Sequence, residues 1–196
     1  MKSQTRSTRR TRTRARAPHR RDKDRPPFIL SSSDVCEEVG VYDGSTERMS
    51  FGRPIGGAAG LKKLGLHLER LPPGHRTSWP HAEEVDEEFV FVVSGTVDVW
   101  IDGTTYGMQA GDLAAFPGGT GIAHTFINDG DSDAILLVGG EKSGPQSRRH
   151  YPFHNDVVVT AAGLWKNPPP RPLGPHDGTP RARRESSRGA RRARTK

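Results

Sequence analysis

Residues 81–103 read HAEEVDEEFVFVVSGTVDVWIDG, and this stretch decides the fold. Phe89 to Val93 is a run of aromatic and β-branched residues, Ser94-Gly95 turns the chain, and Val97, Val99 and Ile101 recur at every second position until Asp102-Gly103. A period of two marks a strand with one buried face, and glycine-bearing turns between such segments mark consecutive antiparallel hairpins. Upstream, LKKLGLHLERL (61–71) sets Leu64, Leu66 and Leu68 on one face and is stopped by PPGH. It therefore predicts a half-buried strand with those leucines inward. Downstream, Leu113 to Phe116 ends at PGGTG, His124 to Asn128 forms a further segment, NDGDSD turns, and Ala134 to Val138 closes the series. About seven or eight short strands at regular spacing, with hardly any helical periodicity, predict an all-β sandwich or barrel.

Composition sets the boundaries. Residues 1–27 hold eleven Lys and Arg against two Asp (+9), residues 180–196 hold eight against one Glu (+7), and residues 28–179 are therefore acidic at −9 within the overall +7. The basic ends carry almost no large apolar side chains, so burial cannot offset the entropy of ordering them, and they are expected to be disordered tails. The expected organisation is a basic tail over 1–27, a lead-in arm packed on the barrel over 28–60, the barrel over 61–165, and a proline-rich then basic tail over 166–196. Tyr151 to Leu164 is expected to add an edge strand or a short helix, and PPPRPLGP to mark the exit from the fold. No apolar run approaches the roughly 20 residues that span a bilayer, and none forms the core of a secretory signal. The expectation is a soluble cytoplasmic protein, with the nucleus as the alternative in a eukaryotic cell, and with no membrane contact. Cys36 is the only cysteine, which excludes an internal disulfide and a thiolate metal cluster.

Any metal must then be held by nitrogen and oxygen. His81 and Glu83 are two apart, so on a strand both point to one face. Glu88 follows after Glu84, Val85 and Asp86, which supply a turn that brings it back on the neighbouring strand, and His124 opens a later strand after a glycine-rich loop. Two imidazoles and two carboxylates in one pocket suit a first-row divalent ion with positions left open for water or substrate. Glu84, Asp86 and Glu87 read as exposed rim charges, with Glu87 the nearest rival to Glu88. His67, His75, His150, His154 and His176 read as polar surface residues, since no spacing recruits them. Trp79, Trp100, Phe116 and Phe126 read as core, Asn128 as a turn-fixing residue, and Gly118, Gly119 and Gly121 as backbone glycines, because no helix follows to make them a phosphate loop.

The segments Gly74 to Gly95 and GDLAAFPGGTGIAHTFIN (111–128) together resemble the two motifs of the cupin superfamily. The resemblance covers residues 60–140 and implies a double-stranded β-helix, a jelly-roll-like barrel. It is similar to uncharacterised single-domain bacterial and fungal cupins, some of them sugar-phosphate isomerase-like. Carried over residue by residue, the family's metal ligands fall on His81, Glu83, Glu88 and His124. Two departures stand out: Glu83 occupies the place of the usual second histidine, and the loop before His124 is about two residues longer than usual. With neutral histidines the set carries about −2, which neutralises a dication, and its harder donors favour Mn(II) or Fe(II), with zinc and nickel also admissible. Should Glu83 leave the ion, His81, Glu88 and His124 form the two-histidine, one-carboxylate triad of non-haem iron oxygenases. The implied function is a metal-dependent enzyme acting on a small molecule in the barrel, either an oxygenase (an oxidoreductase) or an isomerase or lyase with Glu83 as catalytic base. Two readings from other classes stand beside it: a non-enzymatic ligand-binding or sensor barrel, and a domain whose tails contact nucleic acid or another polyanion without sequence preference. A homodimer formed through a sheet edge is also expected.

Overall fold

The computed structural model describes residues 26, 28–154 and 163–186; the readings made for 1–25, 27, 155–162 and 187–196 lie outside the described residues. In chain order the elements are β1 (Glu38–Val39), β2 (Phe51–Arg53), α1 (Ile55–Ala58), β3 (Leu64–Leu71), β4 (Ala82–Glu83), β5 (Glu88–Ser94), β6 (Thr96–Ile101), β7 (Thr104–Gln109), β8 (Leu113–Phe116), β9 (His124–Ile127), β10 (Ala134–Glu141), β11 (Arg148–His150) and β12 (Gly163–Leu164). They form a six-stranded sheet in the order β1-β2-β3-β10-β5-β8, a three-stranded sheet β7-β6-β9 and a three-stranded sheet β12-β11-β4. Isolated bridges between Arg76 and Ile127 and between His81 and His124 stitch the β4 side to β9. Among the described residues no helix is long and apolar enough to cross a membrane.

The hairpins fall where the turn residues require. Gly95 has φ +82, and a Cβ there would lie 3.0 Å from the Cα of Ala134, so only glycine closes the β5–β6 turn against β10 without strain. Inside, Val90 and Val92 of β5, Val97 and Val99 of β6, Phe116, Phe126, Ala134 and Leu136 form one buried cluster with Leu71 and Met108. Each large apolar member removed from water contributes about 1.5–3 kcal/mol. The alternation read from residues 97–101 is the inward face of β6, while the intervening Trp100 faces outward, fully buried beside Ala82, Ala123 and Ile127.

Two sequence expectations are corrected. The first is the face of β3. Its register sets Leu71 opposite Ala134, Glu69 opposite Leu136 and His67 opposite Val138 of β10, and directly opposed residues share a face. The barrel-facing side is therefore Gly65, His67, Glu69 and Leu71. Leu64, Leu66 and Leu68 lie on the outer face, where Leu64 is 54% exposed. That face also carries the exposed Val93 and Leu113, so it is apolar on the solvent side, and leucine content is not a guide to inside and outside here.

The second concerns where the chain leaves the fold. Composition sets the boundary at 165, yet residues 166–186 run back over the outer side of β6 and β9. The Trp100 indole N–H donates to the His176 carbonyl at 2.7 Å, and Gly174 N–H donates to the Asp102 carbonyl at 2.7 Å. Gly103 has φ +92 and a Cβ on it would lie 2.2 Å from the Gly174 nitrogen, so backbone lies directly on backbone. A polyproline-like segment makes no internal hydrogen bonds and so has carbonyls to offer, and a buried indole N–H needs an acceptor. Residues 181–186 are helical, and Arg183 reaches Glu47 at 3.2 Å.

Candidate metal centre

His81 and His124 are held side by side by two backbone hydrogen bonds, His81 N–H to the His124 carbonyl (3.2 Å) and His124 N–H to the His81 carbonyl (2.9 Å). Their rings stand 5.0 Å apart. Glu88 opens β5 between Gly140 of β10 and Phe116 of β8. Its Oε2 lies 3.6 Å from Nε2 of each histidine, and one donor atom from each of the three residues falls within 4.8 Å of the others. Donors at about 2.1 Å from one ion can be separated by up to about 4.2 Å, so these nearest approaches suit a shared divalent cation.

The remaining contacts orient the rings. His81 Nδ1 lies 2.9 Å from the Trp79 carbonyl and 3.2 Å from the Ser78 hydroxyl. A carbonyl only accepts, so Nδ1 carries a proton towards Trp79, and Nε2 is the ring atom that faces Glu88 and is available to a metal ion. His124 Nδ1 faces the Ile122 carbonyl at 3.4 Å, and Phe116 stacks on the ring at 3.5 Å. His124 Nε2 is buried with no hydrogen-bond partner, a cost that a ligand at this point would remove. Burial pushes the Glu88 carboxyl up, but the imidazoles of His124 and His81 outweigh it and hold the group far below the usual carboxylate range, ionised. Burial likewise pushes His81 down, and Glu88 and Glu83 together overcome that and raise it.

Glu83 is the expected ligand that does not join the cluster. It is buried, with Oε1 3.7 Å from His81 Nε2, but the same oxygen accepts a 2.6 Å hydrogen bond from Arg149 Nε, and Oε2 has no partner. The register explains it: Arg149 of β11 is directly opposite Glu83 of β4. Burial pushes the Arg149 guanidinium down and Glu83 more than restores it, leaving it raised.

Asp86, expected on the exposed rim, is buried at 5% exposure, with Oδ2 unpartnered; the backbone of Gly118 lies so close that a Cβ would meet the Val85 carbonyl at 2.7 Å and the Asp86 carbonyl at 3.0 Å. Glu87 is exposed, as expected of it. A cavity of about 300 Å³ adjoins the cluster, lined by Gly65, His67, Glu69, Glu83, Glu88 and Arg149 among others. Glu88 also borders a second, largely apolar cavity of about 410 Å³ with Leu61, Leu64, Phe89 and Pro117. Sequence reasoning missed Glu69 and Arg149. Glu69 accepts a 2.5 Å hydrogen bond from the Ser50 hydroxyl. Burial drives its carboxyl up to about 7, with Ser50 opposing and the Glu88 charge adding to the rise. The signal for Glu69 was present: a strand whose one face is all leucine and whose other reads Gly, His, Glu, Leu is a lining strand once the leucines are set outside. Nothing local marks Arg149, which is brought in by a pairing 66 positions away.

Comparison with known proteins agrees with this fold. Residues 67–140 match the family model described as Cupin domain, and this segment is a single cupin domain built as a double-stranded β-helix. A sugar phosphate isomerase of Silicibacter pomeroyi has a similar structure, with a TM-score of 0.60 and 25% identity, covering 71% of this chain and 98% of that one. A proposed sugar phosphate isomerase of Acidithiobacillus ferrooxidans gives a TM-score of 0.61 and 27% identity, over 66% of this chain and 83% of that one. The polyketide synthase CurC of Streptomyces cyaneus is 36% identical over 83 residues, which is 42% of this chain and 49% of that protein. The chain spans about half the length of the curated relatives it matches.

Proposed function

We propose that the protein is a divalent-metal-dependent enzyme acting on a small molecule inside the barrel, as an isomerase or lyase, with His81, Glu88 and His124 as the metal ligands and Glu83 as the base. The observation that carries this is the convergence of two Nε2 atoms and one ionised carboxylate at 3.6 Å in a buried pocket, one imidazole nitrogen having no other partner. The donor set favours Mn(II) or Fe(II), with zinc and nickel next. When bound, the ion supplies Lewis-acid polarisation of a substrate oxygen. Glu83 is buried beside the donors with one free oxygen, placed to take a proton from a substrate carbon or hydroxyl. Glu69, across the same cavity, can hold or release a second proton near neutrality. The likeness to the two proteins named as sugar phosphate isomerases supports this reading over others. The two-histidine, one-carboxylate set also supports a second reading, an iron-dependent oxygenase. The exposed apolar outer face of the six-stranded sheet supports the expected homodimer.

The test is metal content after purification without added metal, followed by calorimetric titration with Mn(II). His81→Ala, Glu88→Ala and His124→Ala should each lose stoichiometric binding, a larger loss than the roughly 10–100-fold typical of removing an outer-shell partner. Glu83→Ala should bind the ion and lose turnover of aldose and ketose phosphates. Metal retained by all three alanine variants refutes the site. A normal metal site with no turnover of sugar phosphates, diketones or phenols transfers the assignment to a ligand-binding barrel, and substrate-dependent oxygen uptake by the Fe(II) form transfers it to an oxygenase.

A further inference from the structure

Glu83 of β4 stands two residues beyond His81, a metal-ligand candidate that bridges to His124 just before that strand, and yet lies outside the three-donor cluster. What holds it is built into the sheet. Arg149 faces it directly across the β4–β11 ladder, with His150 opposite Ala82. Its Nε donates to Glu83 Oε1 at 2.6 Å and its Nη2 to the Ser143 hydroxyl at 2.9 Å. The backbone is fixed as well: the Arg149 carbonyl accepts from Trp165 N–H at 2.8 Å, so the strand is clamped by β12 on one side and β4 on the other. The Glu83 side chain is only 6% exposed and that of Arg149 24%. A carboxylate so buried needs a countercharge, because a bare charge in a low-dielectric interior is strongly disfavoured. Arg149 provides it, and a carboxylate already neutralised by a bidentate-capable guanidinium has less to gain from a metal ion.

We infer that Arg149 is a positioning residue that keeps Glu83 out of the metal's coordination, leaving an ion with three protein ligands beside a carboxylate free to act on the substrate. The inference rests on the metal reading given above. It has a chemical consequence. Glu88 alone leaves a bound dication with a net charge of +1, able to attract a substrate oxyanion, whereas a coordinated Glu83 would cancel that charge. It also keeps one more coordination position open to substrate.

The experiment uses full-length protein loaded with Mn(II), with metal-bound waters counted by electron paramagnetic resonance in isotopically labelled water. Wild type and Glu83→Ala should hold the same number of waters. Arg149→Met should hold one fewer, because the released Glu83 becomes a ligand, and its Mn(II) affinity should rise on the order of tenfold, since the ion now relieves a bare buried charge. Glu83→Ala combined with Arg149→Met should return to the wild-type water count and affinity. Arg149→Lys, which keeps the charge, should resemble wild type. A water gained on Glu83→Ala alone, or an unchanged count and affinity in Arg149→Met, overturns the inference while leaving the metal site intact. If Arg149→Met folds only with metal, the wild-type, Glu83→Ala and Arg149→Lys counts still decide whether Glu83 is a ligand. Absence of stoichiometric Mn(II) in wild type overturns the metal reading instead.

Discussion

Replacing Glu69 by Gln separates the cost of a buried carboxylate from every other feature of the barrel. The Glu69 side chain sits on the inward face of β3 opposite Leu136, accepts from Ser50 and shares its cavity with His67 and Glu88. Its carboxyl rises from an ordinary 4.5 to about 7, chiefly through burial. Below pH 4.5 the group is protonated in both the folded and the unfolded chain, so it contributes no pH dependence there. Between 4.5 and about 7 the folded protein binds the proton that the unfolded chain has lost, and stability falls as pH rises. Above about 7 the whole penalty is present. At about 1.4 kcal/mol for each factor of ten in proton affinity, the interval corresponds to at most roughly 3 kcal/mol. Gln keeps an acceptor for Ser50 and has nothing to deprotonate. Urea denaturation of chelator-treated protein should therefore show the Glu69→Gln variant gaining on wild type by up to about 3 kcal/mol between about pH 4.5 and about pH 8. A stability difference that does not change over this range refutes the buried-carboxylate argument. A difference that grows towards acid pH would mean that Glu69 is ionised and paired, the reverse of the present reasoning.

Two further outcomes test the frame around the site. Arg76 is 4% exposed and holds Glu47 through two hydrogen bonds at 2.9 and 2.8 Å, with the Trp79 indole donating to the same carboxylate. Arg76→Met should cost up to about 3–5 kcal/mol at neutral pH, because it leaves a buried carboxylate with only Arg183 and the Trp79 indole as partners. Burial pushes the Glu47 carboxyl up, but Arg76 outweighs it and leaves it lowered. The pair's contribution is therefore present above the ordinary carboxylate range and lost on acidification, so the penalty measured by urea denaturation should shrink towards acid pH; a pH-independent penalty contradicts this. Ending the chain after residue 165 should remove the Trp100–His176 hydrogen bond, worth about 1 kcal/mol, and re-expose a large apolar side chain worth on the order of 2 kcal/mol. The urea midpoint should fall and tryptophan emission shift to the red, and an unchanged midpoint would show that residues 166–186 do not stabilise the barrel.

What was legible in the sequence, and what was not, divides by the range of the interaction that decides it. Val97, Val99 and Ile101 declare a strand because period two is a local property, and Gly95 and Gly103 declare the hairpins because a positive φ is local too. His81 and Glu88 could be brought to one point by counting parity across a single turn. The face of β3 could not be chosen that way. Leu64, Leu66 and Leu68 alternate perfectly well on the outside of a sheet, and only the pairing with β10, 67 residues on at Glu69 and Leu136, turns Glu69 and His67 inward. Asp86 looks like rim charge in an acidic run until the turn at Pro117–Gly119 closes over it. Arg149 sits in a polar stretch with no periodicity, and its meaning comes entirely from the strand opposite. The same division explains the place of Glu83 at the centre. Strand parity puts Glu83 on the ligand face, and so does the motif. Whether a carboxylate on that face binds the ion or stands beside it depends on the countercharge it meets there, and that countercharge comes from Arg149 on a strand that neither motif contains.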